Sequence, residues 1–208
     1  MKKCFILYLI FYSLTVNCPT ADGQLTPVKD HTQRIHGNGL SILPPQGKNW
    51  HILDNPNGGL NFAKILDGPS HTFICSLTVV PSDENFTNTD KFLEAVKKMQ
   101  ENFTQIDRFK NIKSNYSLNE RFGVFSVEYQ ISVTDVEQKK KYGRPSILKM
   151  RGYSFVHPKQ PNYLVDIVYS ERGTAEEFTP SLQKVGKEFI DSLIIEDEPL
   201  LLENEVRE

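Results

Sequence analysis

The feature of this sequence that most restricts its fold is a series of short runs rich in Ile, Val, Phe, Tyr and Thr, separated by Gly, Pro and Asn. Runs of this kind predict β-strands. We predict eight strands, at residues 40–43, 50–53, 60–66, 72–80, 109–116, 121–133, 147–156 and 163–169. The connections between neighbouring runs are too short for parallel crossovers, so the strands should form an antiparallel sheet.

Apolar and polar residues alternate along residues 121–133, which predicts a strand with one buried face. The predicted buried face carries Phe125, Val127, Tyr129, Ile131 and Val133, and the opposite face carries Val124, Ser126, Glu128, Gln130 and Ser132. In residues 163–169 the same alternation places Asp166 opposite Val165 and Ile167. Because an unpaired Asp is rarely buried, we expect Asp166 to be a solvated strand residue, and the alternative is that it lines a shallow groove.

Two segments show helical spacing instead. Apolar residues recur every three or four positions in residues 90–103 and again in residues 180–193, where Thr179 is a candidate N-cap and Pro180 suits the first helical position. A rival start for the second helix is a capping box from Thr174 to Glu177, but Pro180 would then lie inside the helix, so we expect a short turn there. The predicted fold is α+β, an antiparallel β-sheet packed by two amphipathic helices as an α/β/α sandwich.

The N-terminus has the pattern of an export signal. Lys2 and Lys3 precede thirteen largely apolar residues, so residues 1–17 are predicted to be a signal peptide. Cleavage before Cys18 would make that residue the lipidation site of a lipoprotein, whereas cleavage after Gly23 would give an unanchored chain. We further predict a linker at residues 18–36, one domain at 37–195 and an acidic flexible tail at 196–208. No later run is long enough for a transmembrane helix.

Charge and cysteine content exclude several classes of protein. The chain has 24 Lys and Arg against 26 Asp and Glu, which is not the basic balance of a nucleic-acid binder. If residues 1–17 are removed and Cys18 is acylated, Cys75 is the only remaining thiol, and no intramolecular disulfide can form. Cys75 lies in an apolar run and is predicted to be a small buried hydrophobe.

The sequence contains no recognisable catalytic or cofactor motif. The five His residues are not spaced as metal ligands, and neither a Gly-x-Ser-x-Gly elbow nor a phosphate-binding loop is present. We therefore predict a non-enzymatic protein with no metal and no cofactor. The one strong charge cluster contains Lys139, Lys140, Lys141 and Arg144. We place this cluster at a hairpin tip, where it could contact a membrane or a partner, and a solvated tip is the plainer alternative.

Two stretches of the sequence resemble a known family: the opening Leu40-Ser41-Ile42 with Pro44-Pro45 and Trp50, and the closing residues 188–195. The family that they resemble is the PsbP, DcrB and Mog-type superfamily. Members of that group are mainly accessory or binding proteins and often exported lipoproteins, so the resemblance implies a non-catalytic role. We expect a lipid-anchored or periplasmic protein of the cell envelope that contacts an envelope partner. The alternatives are a carrier of a small apolar ligand with a pocket between helix and sheet and, more weakly, an unrecognised hydrolase.

Overall fold

The computed structural model describes residues 25–53, 59–66, 71–104, 107–143 and 145–196. Eleven strands and three helices lie within these ranges. The strands are β1 Leu25–Pro27, β2 Ile35–Gly37, β3 Leu40–Ile42, β4 Trp50–Leu53, β5 Leu60–Ile65, β6 Thr72–Pro81, β7 Phe109–Leu118, β8 Ser126–Asp135, β9 Ser146–Val156, β10 Tyr163–Gly173 and β11 Ile194–Ile195. The helices are α1 Thr89–Thr104, α2 Val136–Tyr142 and α3 Pro180–Asp191.

Eight strands form the main sheet in the order β1-β4-β5-β6-β10-β9-β8-β7, and β11, β3 and β2 form a second, small sheet. Each strand pair is antiparallel, so the predicted antiparallel sheet and the α+β class are confirmed. β10 is one of the two central strands of the main sheet and lies between β6 and β9. Two meanders, β4-β5-β6 and β7-β8-β9, are therefore joined through β10, which is the last of these eight strands in sequence.

Local capping sets the start of the first long helix. The Asn88 Oδ1 accepts hydrogen bonds from the backbone N–H groups of Asp90 and Lys91, at 2.8 Å and 3.2 Å, and so satisfies two donors that the first helical turn cannot. The third helix begins at Pro180, directly after Thr179. The Glu177 N–H donates to the Thr174 carbonyl at 3.1 Å, which makes the short turn predicted before this helix.

Alternation along the strands gives the main sheet two different faces. We call the face that packs against α1 the α1 face: here Tyr129 and Ile131 belong to a buried cluster with Met99 and Phe103. The opposite side is the α3 face, whose aromatic cluster is the larger. The rings of Phe62 and Phe189 meet edge to face there, at a centroid distance of 5.8 Å. Each such buried side chain contributes about 1.5–3 kcal/mol.

The prediction of a linker at residues 18–36 is wrong for the part that the structure describes. β1 pairs with β4 and β2 pairs with β3, because each short strand finds its hydrogen-bond partners in a distant segment that the local sequence does not reveal. The predicted signal peptide, Cys18 and residues 197–208 lie outside the described residues. In the described part of the chain, no helix is long and apolar enough to cross a membrane.

The prediction of a hairpin tip for the basic cluster is also wrong. Lys139 and Lys140 are exposed on α2, a helix of seven residues. The Asp135 side chain caps its start by accepting a hydrogen bond from the Glu137 N–H at 3.2 Å, and Gly143 ends it with a φ of +78°. These two caps stabilise a helix too short to show amphipathic spacing. The side chain of Lys141, and Arg144 as a whole, lie outside the described part.

Candidate functional site

The third helix covers only part of its face of the sheet. Beside it, the middle parts of β7, β8 and β9 and the second half of β10 form an open cleft of about 370 Å³. We call this the polar cleft. Its lining consists mostly of charged, amide and hydroxyl residues: Lys113, Ser114, Asn115, Gln130, Ile131, Ser132, Lys149, Met150, Arg151, Tyr169, Glu171 and Gln183.

Strand alternation explains why this cleft is polar. Gln130 and Ser132 belong to the side of β8 that the sequence predicts to be polar, while the apolar side of β8 packs under α1. Lys149 and Arg151 occupy the matching positions of β9, and Gln183 on α3 lies at the edge of the uncovered region. The same period-two pattern that builds the core on one side therefore presents hydrogen-bonding groups on the other.

A buried carboxylate lies among the lining residues. The Oε1 of Glu171 is 3.0 Å from the His71 Nε2, and only 3% of the Glu171 side chain and 10% of the His71 side chain are exposed. Burial raises the pKa of Glu171, and the hydrogen bond from His71 partly opposes that rise. A backbone hydrogen bond at Thr179 also lowers the pKa of this carboxyl group. Its other oxygen, Oε2, is buried, so the carboxylate contributes negative charge to the cleft and is not itself a contact surface.

Cations lie next to this carboxylate. Lys149 is the cross-strand neighbour of Glu171, and Arg151 is the neighbour of Tyr169. Arg151 donates from Nη2 to the Glu128 carboxylate at 2.6 Å, while the Lys149 Nζ lies 4.0 Å from the ring centre of Phe178. A partner in the cleft therefore lies near one buried negative charge and two cationic groups within a few strand spacings.

The lining indicates the type of ligand that this cleft suits. Sites for small molecules are usually concave, largely apolar and nearly enclosed, whereas this cleft is open and its side chains are mainly charged groups, amides and hydroxyls. Backbone amides of an extended polypeptide match such a lining, because they supply donors and acceptors along their length. The arrangement is suited to binding a protein segment.

The second titratable cluster is sealed inside the molecule, and here the prediction for Asp166 is wrong. Asp166 lies on the α1 face with only 4% of its surface exposed. Its carboxylate accepts hydrogen bonds from Tyr129 at 3.0 Å and from Ser154 at 2.5 Å. Burial raises its pKa to about 6, although both hydrogen bonds act in the opposite direction. Gly152 provides the space for Tyr129, because a Cβ at Gly152 would lie 2.7 Å from the Tyr129 hydroxyl oxygen.

A third cluster holds α2 against the sheet. Arg108 donates from Nη2 to Asp135 Oδ2 at 2.7 Å, and the Arg172 Nε lies 3.3 Å from the same oxygen. All three residues are buried. Because Asp135 also caps α2, this ion cluster fixes a helix position and is structural.

The candidate contact residues from the sequence do not come together with the polar cleft. Lys139 and Lys140 are on α2, and neither belongs to the cleft lining. The sequence reasoning missed Glu171 and His71, which are separated by 100 positions. In the described ranges, no group of three or more His, Cys, Asp and Glu side chains could hold a metal ion.

The fold and cleft define an α+β protein with a partly uncovered antiparallel sheet. No family model matches the sequence, and a search of curated proteins finds no match. Three solved structures are similar over 83% of this chain: LpqN, involved in cell envelope biogenesis of Mycobacterium tuberculosis (14% identity, TM-score 0.44, 91% of that chain); a point mutant of the protein Mog1 (12%, 0.46, 96%); and the Ran-binding protein Mog1p of Saccharomyces cerevisiae (11%, 0.47, 96%).

Mog1 is thus among the structures similar to this chain, while PsbP and DcrB are not shown by them. Because all three TM-scores are below 0.5, no function is transferred from these proteins.

Proposed function

We propose that this protein is a non-enzymatic accessory protein of the cell envelope, exported and anchored through a lipid on Cys18, that binds another envelope protein through the polar cleft. The observation that carries the proposal is the uncovered part of the α3 face, an open cleft lined by Lys149, Arg151, Glu171 and several amide and hydroxyl side chains. A partner segment that pairs with these groups would gain charge-assisted hydrogen bonds.

The charged and polar groups of the cleft indicate which groups a partner segment should carry. The negative charge of the buried Glu171 would favour a lysine or arginine of the partner in the cleft, while a carboxylate or carbonyl two or three residues away would accept from Arg151 or Lys149. The open lining favours an extended segment over a compact ligand. Since the charged groups of the cleft have both signs, the partner segment should also carry both.

The packing between α3 and the sheet supports protein binding over an apolar carrier function. Aromatic side chains there contact one another: Phe73 stacks on Tyr169 at 6.0 Å, and Trp50 meets Phe73 edge to face at 5.8 Å. These contacts occupy the region where a carrier pocket between helix and sheet would lie.

Site-specific photocrosslinking in intact cells tests the proposed cleft. A photoreactive amino acid at Gln183, an exposed lining residue, should yield a discrete protein adduct. Lys149→Glu reverses a charge in the cleft and should lower the adduct yield several-fold. Lys98→Glu makes the same change on an exposed position of α1 and should leave the yield unchanged. Equal yields from the two charge reversals would refute the cleft as the binding site, and an extractable apolar small molecule would support the carrier.

Fractionation tests the anchor. Cys18→Ala should move the protein from the membrane fraction to the soluble fraction, because a diacyl anchor supplies two chains and hence stable membrane attachment. Cys75→Ala is the matched control, since this cysteine is buried in the core and has no role in anchoring. Unchanged membrane partitioning of the Cys18 variant would contradict the lipoprotein assignment while leaving the cleft proposal standing.

A further inference from the structure

In the part of the chain that the structure describes, β7 is an edge strand of the main sheet. It pairs with β8 on one side, and no other described strand pairs with it. Its residues 110–115, 117 and 118 are exposed, and its side chains include two large exposed apolar groups, Ile112 and Leu118, each 44% accessible. A long edge strand of this kind offers unpaired backbone groups to a further strand.

The side chains of β7 divide into two rows. Ser114, Tyr116 and Leu118 lie on the α1 face, since they pair with buried residues of β8, and Lys113 and Asn115 lie on the α3 face at the rim of the polar cleft. A bulge interrupts the pairing between Lys110 and Lys113. The strand is regular from Lys113 to Leu118, so these six residues can accept a partner strand, and Ile112 is the bulge residue directly before them.

We propose that β7 pairs with β7 of a second copy of this chain, antiparallel and centred on Asn115. A two-fold axis normal to the sheet keeps both α1 faces on the same side, so that directly opposed residues belong to the same row. In this register Ser114 faces Tyr116 of the second copy and Lys113 faces Ser117. At each end, Ile112 of the bulge comes next to Leu118 of the other copy, so that the two exposed apolar groups meet.

The charges and the apolar side chains that would oppose each other favour this register over its neighbours. Centring on Lys113 would place the two Lys113 side chains opposite each other, which is unfavourable for directly opposed like charges. Centring on Ser114 would place Leu118 against Lys110. Only the Asn115 register pairs both exposed apolar residues with each other and separates the lysines, so a second copy fits this edge.

The pairing would join two eight-stranded sheets into one continuous sheet. Because Lys113 and Asn115 line the polar cleft, the clefts of the two copies would lie side by side across the two-fold axis. The dimer does not depend on the cleft binding a protein. It would, however, present two identical binding surfaces on one side of the assembly.

Disulfide trapping of the full chain tests the register. In Asn115→Cys the two Cα atoms would be about 4.5–5.5 Å apart, within the range that a disulfide spans, so mild oxidation should give a covalent dimer. Lys113→Cys is the matched control on the same strand and face. Its two copies would be offset by four residues, about 14 Å, and should not cross-link. Wild type sets the baseline, because it has the same native cysteines.

Mixing two cysteine variants distinguishes cross-linking in this register from cross-linking by random collision of two chains. Ile112→Cys and Leu118→Cys should each form little homodimer alone but should form a heterodimer when mixed. In parallel, Leu118→Lys should lower the dimer fraction of the wild-type protein in sedimentation, whereas Val124→Lys, at an exposed apolar residue outside the strands, should not. The proposal is overturned if Lys113→Cys cross-links as readily as Asn115→Cys, or if wild type sediments as a monomer at every concentration.

Discussion

Two buried acidic residues on β10 differ in what surrounds them. Asp166, on the α1 face, accepts hydrogen bonds from the neutral hydroxyls of Tyr129 and Ser154. Glu171, on the α3 face, is paired with His71 and lies beside Lys149 at the polar cleft. One carboxyl group is sealed and has neutral partners; the other is at the base of an open cleft and has basic neighbours.

The comparison separates a structural carboxyl group from a candidate binding group. Neutral donors only partly offset the cost of burying the Asp166 charge, so its pKa rises to about 6 and the group is held in place by the core. Glu171 lines an open cleft, where its charge and the neighbouring Lys149 and Arg151 act on whatever binds there. Burial alone therefore does not identify a candidate binding group, whereas position at an open cleft does.

The largest expected effect comes from filling the space beside the sealed carboxyl group. In Gly152→Ala the new Cβ would lie 2.6 Å from the Ile167 carbonyl oxygen, a backbone atom of the adjacent central strand that cannot move without disturbing the sheet. We expect the free energy of unfolding to fall by about 3 kcal/mol or more. Urea denaturation measures this change.

Gly37→Ala is the control, because nothing lies within 4 Å of the Cβ that it would add. We expect its free energy of unfolding to change by less than about 1 kcal/mol. Equal losses in the two variants would show that Gly152 is not a tight contact, and the account of the Tyr129 position would then fail.

The next effect is pH dependent and concerns Asp166→Asn. Folding raises the pKa of Asp166 from 3.8 to about 6, so the protonated form is the one that folding favours. The penalty is absent below about pH 4 and appears as the pH rises to 6, reaching about 3 kcal/mol at neutral pH. The stability of Asp166→Asn relative to wild type should therefore increase by about that amount between pH 4 and 7.5.

The measurement is a set of urea denaturation curves for both proteins across that pH range. Taking the difference between them removes the contribution of all other titrating groups. A difference that does not change with pH would mean that Asp166 is not held in a desolvated site.

The smallest effect on stability is expected at the open carboxyl group. Glu171→Gln keeps an acceptor for His71 and removes a buried charge, so the free energy of unfolding should change by less than about 1 kcal/mol. Photocrosslinking from position 183 should nevertheless fall several-fold. His71→Ala, which removes the donor and leaves the carboxylate buried, should cost about 1–3 kcal/mol. If Glu171→Gln unfolds the protein, the residue is structural, like Asp166.

Much of the fold follows from local sequence patterns. The alternation in residues 121–133 predicts the buried face of β8 correctly: Val127, Tyr129, Ile131 and Val133 are all buried. Cys75 is buried, as its apolar run predicts, and burial raises its pKa. Such features succeed because a single strand determines which of its side chains face the core.

The errors concern residues whose partners are distant in sequence. Asp166 is buried because Tyr129, 37 positions away, supplies a donor and α1 covers that face, and neither fact is visible around residue 166. The short helix α2 depends on an N-cap and a glycine, not on amphipathic spacing. The polar cleft was missed for the same reason: Glu171 and His71 meet only after β10 has entered the sheet.

The position of β10 has a consequence for how the chain acquires its structure. Thr78 of β6 pairs with Asp166, so the contact joins segments far apart in sequence, and both neighbours of β10 are synthesised before it. Pairings of such long range are slow to form, because the intervening loop must close first. The two meanders would each expose unpaired edges until residue 173 is available, so assembly of the main sheet must wait until nearly the whole domain has been synthesised.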